Sequence, residues 1–206
     1  MLRVDPRAFT EADLAPALEW LRLGKVVAYP TDTFYGLAVD PASDAAVAAL
    51  FALKGREASA AIPLIAASMP QVEAWCGLSP LARRLADAFW PGPLSLICDA
   101  PDLVVPAVHG GRRTVAIRVP DHPVARALAS AWGGPLTATS ANRSGAPPAR
   151  SVSGLSDLHD DHLLVIDGGD TAGGRPSTIV DARGETPMLI RAGAIEWERV
   201  LHSLQR

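Results

Sequence analysis

Apolar and polar positions follow two periods along this chain, and the switches between them lay out its elements. Leu14, Leu18, Leu21 and Leu23 give an apolar helical face between Thr10 and Gly24, and Thr10 with Asp13 three residues on makes a capping-box start. Lys25 to Tyr29 is a short apolar run that reads as a buried strand. A second helix is predicted over Asp44 to Leu53, ending before Lys54-Gly55-Arg56, and a short strand over Pro63 to Ala66. Ser79-Pro80 opens a helix, with proline at its first position, that runs to about Phe89. Trp90-Pro91-Gly92-Pro93 is a hard turn into a strand over Leu94 to Cys98. Further strands are predicted over Thr114 to Val119, Leu136 to Thr139, Leu163 to Asp167, Ser177 to Asp181 and Met188 to Arg191. Val124 to Trp132 and Ile195 to about Leu204 complete the helices. The Pro- and Ser-rich segment from Ser144 to Gly154 reads as a long loop or flap. Strands alternating with helices argue for a layered α/β domain, and their Pro and Gly punctuation favours a mixed sheet over a purely parallel one.

Composition narrows the class. At 206 residues, 49% hydrophobic and 20% charged, the chain suits one soluble domain with a sizeable core. No apolar run reaches the roughly 18 residues of a membrane span, and the N-terminal residues lack a signal peptide's apolar stretch. Cys76 and Cys98 have no Cys-x-x-Cys spacing, so neither a disulfide framework nor a zinc site is indicated. A cytoplasmic protein without membrane contact is the expectation. The net charge of −3 disfavours a surface coated for nonspecific nucleic-acid binding. Of the 19 basic residues only Lys25 and Lys54 are lysines. Codon bias accounts for such an excess, yet Arg112, Arg113, Arg118, Arg143, Arg150, Arg175 and Arg191 fall in or near Gly-, Ser- or Pro-rich turns. Arginines so placed can converge on one anion through forked hydrogen bonds.

Candidate chemistry gathers in a few runs, each with a plainer reading. Thr31-Asp32-Thr33, after a buried strand and before Tyr35-Gly36-Leu37, either satisfies turn backbone groups or orients a small polar ligand. Lys54 and Arg56 at a helix C-terminus either complement the helix dipole or clamp phosphates. Arg118 lies inside an apolar strand, so its charge needs a partner: a structural carboxylate or a ligand. Thr114, four residues before it, points to the same strand face. Ser140 and Asn142 flank Ala141 in what is either an ordinary turn or a polar ligand contact. His159-Asp160-Asp161-His162 spells His-x-x-His but lacks further ligands and reads as a surface turn. No P-loop, Rossmann glycine motif or serine nucleophile elbow is present.

Taken in order, Val27 to Ala38, Lys54-Gly55-Arg56, Thr114 to Pro120 and Thr139 to Gly145 resemble the YrdC/TsaC family, from about Gly24 to Gly193. That family makes threonylcarbamoyl-adenylate for tRNA modification. The resemblance implies one YrdC-like domain over 1–206, with a twisted mixed parallel/antiparallel sheet flanked by helices and a concave basic groove. It implies a nucleotidyltransferase using L-threonine, bicarbonate or carbon dioxide, and ATP carrying Mg2+, and releasing pyrophosphate. Thr33, Arg118 and Ser140 are then expected to hold threonine. Lys54, Arg56, Thr114, Asn142, Arg191 and Ser177 are expected on the nucleotide, with Lys54 and Arg56 as the catalytic cations. The product would pass to a downstream tRNA threonylcarbamoyl transferase complex. Double-stranded RNA binding without chemistry, or carbamoyl-adenylate chemistry with another acceptor, are the alternatives. Three departures stand out: Asp32 replaces a frequent Glu, Glu57 and Ala60 replace a Pro and a further polar group, and Arg191-Ala192-Gly193 replaces Arg-Pro-Gly.

Overall fold

In the computed structural model, which describes residues 1–55, 61–158 and 160–205, the first buried run organises the rest. Strand β2 (Val26–Tyr29) is buried at all four positions, and its alternating side chains feed two different cores. Val26 and Ala28 pack with Leu50 of α2 (Asp44–Lys54) and Ile117 of β6 (Thr114–Arg118). Val27 and Tyr29 pack with Leu18 of α1 (Ala15–Arg22) and Leu128 of α6 (Pro123–Trp132). A third core joins Leu85 of α4 (Pro80–Phe89), Leu96 of β5 (Leu94–Asp99), Val180 of β10 (Thr178–Asp181) and Val200 of α7 (Trp197–Ser203).

The expected mixed pairing is present, divided between two sheets. One runs β1 (Leu2–Arg3), β9 (Leu163–Asp167), β2, β3 (Gly36–Ala38), β8 (Thr139–Ser140). The other runs β11 (Met188–Arg191), β10, β5, β6, β4 (Leu64–Ile65), β7 (Leu136–Thr137). In the first, β9 pairs parallel with β1 and β2, whereas β3 is antiparallel to β2 and β8. In the second, β10–β5 and β4–β6 are parallel and the remaining pairs antiparallel.

Local chemistry sets the element ends. The Asp13 carboxylate accepts from the Thr10 N–H at 2.7 Å and from its hydroxyl at 2.9 Å, and a short 3-10 turn (Glu11–Leu14) then leads into α1. Ser43 and Ser79 cap α2 and α4 through their hydroxyls. Gly55 closes α2 at φ 60°, the left-handed conformation that suits glycine. Two helices lie outside the predicted set: α3 (Met69–Cys76), capped by Ser68, and the single turn α5 (Pro106–His109). The Ser144 to Gly154 segment is tied down rather than loose. The Ser144 N–H reaches the Lys54 carbonyl at 2.9 Å, Ala149 bonds both Tyr35 and Ala141, and a 3-10 helix (Val152–Leu158) follows. Among the described residues no helix is long and apolar enough to cross a membrane.

Candidate active site

Where the two sheets face each other, strand ends from both line a cavity of about 810 Å³, within the size range of small-molecule sites. The first sheet contributes the Thr31–Gly36 turn and Ser140; the second contributes β5, β6, β10 and β11. Alternation along β6 sets the far wall. Val115 and Ile117 enter the core, while Thr114, Ala116 and Arg118 face the cavity.

Arg118 is the organising side chain. Its side chain is 8% exposed, and one terminal nitrogen donates to Asp32 Oδ1 at 2.6 Å. The other donates to the hydroxyls of Thr33 at 3.2 Å and Thr31 at 3.3 Å. The plainer reading of the Thr31-Asp32-Thr33 run holds, and the run does more than close a turn. Thr31 Oγ1 accepts from the N–H groups of Thr33 and Phe34 and donates to the Phe34 carbonyl, and the same turn cradles a buried guanidinium. Asp32 is not on the cavity wall, although Thr31 and Thr33 on either side of it are. The turn is anchored in turn. The Gly173 N–H donates to the Thr33 carbonyl at 2.7 Å, and the Tyr35 hydroxyl donates to the Gly169 carbonyl at 2.8 Å. Burial pushes the Tyr35 phenol up to about 12, so it stays a donor. At Gly36 a Cβ would come within 3.0 Å of the Tyr29 ring, which explains the glycine of the Tyr-Gly-Leu step.

Arg191 enters from β11. Its guanidinium donates to the Ser177 carbonyl at 2.8 and 3.2 Å and to the Ser177 hydroxyl at 3.1 Å. That hydroxyl also meets Ser95 Oγ at 3.0 Å. Desolvation, and after it the positive charge of Arg118, lowers the Arg191 pKa. Two guanidinium groups thus act on each other across one cavity, and among the described residues Asp32 is the carboxylate paired with Arg118. An anion placed between them gains from both. Gly193 makes this docking feasible, because a Cβ there would lie 2.3 Å from the Pro176 carbonyl oxygen. Gly193→Ala should therefore cost about 1–3 kcal/mol by overpacking, a drop in Tm of roughly 2–12 °C that calorimetric melting checks.

Lys54 and Asn142 sit behind the wall, and neither lines the cavity. The Lys54 ammonium, on a residue only 4% exposed, donates to the carbonyls of Ser140 at 2.5 Å and Asn142 at 2.8 Å. Asn142 Oδ1 accepts from the Ser140 hydroxyl at 2.5 Å, and its amide donates to the carbonyls of Arg143 and Ala146. These two residues shape the loop that presents Ser140. Thr33, Thr114, Arg118, Ser140, Ser177 and Arg191 are brought together on the wall. Arg56 lies outside the described residues, as does His159.

Arg112 and an Asp181–Arg183 pair also line the cavity. Arg183 forks onto Asp181 at 2.8 and 3.0 Å and reaches Asp99 at 2.9 Å. These bonds hold the Asp181 carboxyl below its ordinary range. Arg112 was visible as one of the turn arginines. The alternation Asp181-Ala182-Arg183 could have signalled the pair, because residues two apart in extended backbone share a face.

The Sua5/YciO/YrdC family model, described as telomere recombination, matches residues 19–193. A threonylcarbamoyl-AMP synthase from Chromohalobacter salexigens is 43% identical over 176 residues, covering 84% of this chain and 95% of the relative. The enzyme of that name from Bacillus subtilis is 38% identical over 95% of this chain, which spans 58% of the longer relative. The crystal structure of Pyrococcus abyssi Sua5 complexed with L-threonine superposes with a TM-score of 0.89 at 34% identity. That match covers 98% of this chain and 59% of the Pyrococcus one. A family match over most of the length and a shared fold at this identity lead to one conclusion: the chain belongs to the Sua5/YciO/YrdC family.

Proposed function

We propose that this chain is a threonylcarbamoyl-AMP synthase, a nucleotidyltransferase that joins L-threonine, bicarbonate or carbon dioxide, and ATP. The observation that carries the reading is the buried Arg118, held by Asp32 and neighboured by Arg191 in a cavity rimmed with Thr and Ser hydroxyls. Its support comes from relatives of similar length that bear this name and from the threonine-bound Pyrococcus structure.

In this reading Arg118 takes the threonine carboxylate, with Thr33 and Ser140 around it. Arg191, Ser177 and Thr114 take the nucleotide. Lys54 and Asn142 fix the loop that carries Ser140, and Arg56 joins the phosphate contacts. The threonine amine adds to carbon dioxide, forming an N–C bond and releasing a proton to solvent. A carbamate oxygen then forms a bond to the α-phosphorus as the bond to pyrophosphate breaks. The threonine carbamate and the nucleotide are both anionic and repel each other, so neutralisation and positioning supply the acceleration. Asp32 is not assigned as the base, since it is off the wall and bound to Arg118. Magnesium would ride on the ATP phosphates: among the described residues no three His, Cys, Asp or Glu side chains gather to hold a metal ion. The product would be consumed by a tRNA threonylcarbamoyl transferase complex in the cytoplasm, where ATP and tRNA meet. Double-stranded RNA binding needs only diffuse positive charge and leaves the hydroxyl-rimmed cavity unexplained. With isotope-labelled bicarbonate, threonine and ATP, the protein should form an adenylate carrying both the label and threonine. An AMP product lacking either would overturn the reading.

A further inference from the structure

Among the described residues Asp181 is the one acid on the cavity wall, and the mechanism leaves it unused. Its side chain is 11% exposed, and Arg183 holds both of its oxygens. Oδ1 accepts from the Arg183 N–H at 3.1 Å and from Nε at 3.0 Å, which fills its two lone pairs. Among the described residues Oδ2 accepts from Nη2 alone, at 2.8 Å, and so has room for one more donor. Bonded to Arg183, the carboxyl lies below its ordinary range, so near neutral pH it is ionised and can only accept. Arg183 reaches on to Asp99, so two carboxylates share one guanidinium. That end of the cavity repels a phosphate and suits a neutral group with an N–H or O–H to give.

The approach to Asp181 is apolar. Ser177, Ile179 and Asp181 alternate along the β10 segment, and all three line the cavity. Asp181 stands opposite Ile97 on β5, and Ile97 opposite Ala116 on β6. Ile190 adds to this surface and is left 54% exposed. The Ser177 hydroxyl accepts from Arg191 at 3.1 Å. It lies four residues from Asp181, about 13 Å in extended backbone, comparable with the length of a nucleoside monophosphate. A nucleotide with its α-phosphate at Arg191 and Ser177 therefore lays its base over Ile179 and Ile97 and brings the far edge of that base to Asp181.

We propose that Asp181 is a specificity residue for the adenine base, its Oδ2 accepting a hydrogen bond from the exocyclic amino group while Arg183 holds the carboxylate in place. This rests on the reading of the cavity as an ATP site. The amino group is the one donor that the adenine edge offers, so an acceptor-only carboxylate bonds the base there. A site built to satisfy that amino group penalises a base without it, because the carboxylate then gives up its contact with water for nothing.

The test is threonine-dependent pyrophosphate release with ATP and with purine riboside triphosphate, which lacks only the amino group, alongside isothermal titration of each nucleotide into the intact protein. The wild-type protein should favour ATP about 10- to 100-fold in kcat/KM, as expected for one hydrogen bond to a charged acceptor. Asp181→Ala should bring ATP down to the level of the analogue and leave the KM for threonine within about twofold. Asp181→Asn keeps a carbonyl oxygen as acceptor and should retain part of the preference. Equal use of the two nucleotides by the wild-type protein would overturn the proposal, and that arm needs no variant to fold. So would a preference for ATP that survives undiminished in folded Asp181→Ala. Wild-type protein that neither binds nor turns over ATP would overturn the ATP reading itself, and this proposal with it.

Discussion

Arg118→Met should lose threonine-dependent pyrophosphate release by at least about 100-fold, the lower part of the range for truncating a buried, hydrogen-bonded charge pair. It should also be less stable, because Asp32 would be left as a buried carboxylate without its cation. Breaking such a pair costs about 3–5 kcal/mol, so loss of activity in this variant alone would not separate site from scaffold. The double variant Arg118→Met with Asp32→Asn does separate them. Neutralising both partners removes the stranded charge, and most of the lost stability should return. Activity should not return, since the cation facing the cavity is still missing. Thermal melts and pyrophosphate assays on the two variants decide the matter. Recovery of activity together with stability would mean that the pair is structural and that threonine binds elsewhere.

Lys54→Met should have the second-largest effect, and it should strike fold and activity together. Its ammonium bridges the carbonyls of Ser140 and Asn142, while its own carbonyl accepts from Ser144. Hydrogen bonds from a charged donor contribute about 1.5–3 kcal/mol each. Removing this one should cost about 3 kcal/mol, roughly 6–12 °C in Tm. Ser140 would lose its register, and a displacement of about 1 Å at a reacting centre costs about 100-fold. Lys54→Arg should not rescue, because a planar fork cannot replace a compact ammonium between two carbonyls. If Lys54 served chiefly to clamp phosphates, Lys54→Met would leave Tm unchanged and raise only the KM for ATP.

What could be read in the sequence was local. The capping pair Thr10/Asp13, the proline at the start of α4 and the short apolar runs of β2, β5 and β9 carry their signals within a few neighbours. Strand alternation likewise put Thr114 and Arg118 on one face, and both line the cavity. The division into two sheets could not be read, because β2 finds β9 and β4 finds β6 across long stretches of chain. The Arg118 partner was hidden for the same reason. A buried arginine demands a counter-charge, but nothing local says that Asp32, 86 residues away, supplies it. Lys54 shows a different limit. A lysine at a helix end suggests phosphate or dipole, and only the folded chain shows it beneath the Ser140 loop. The α3 signal was present in Ser68-Met69-Pro70, which is the serine cap and early proline also found at α4.

Pyrophosphate release from ATP should be measured with purified protein, with L-threonine and bicarbonate each present or withheld and L-serine as control. Release is expected only when both are present, with threonine preferred over serine. Release that ignores threonine, or none from folded protein that binds ATP, would contradict threonylcarbamoyl-AMP synthesis.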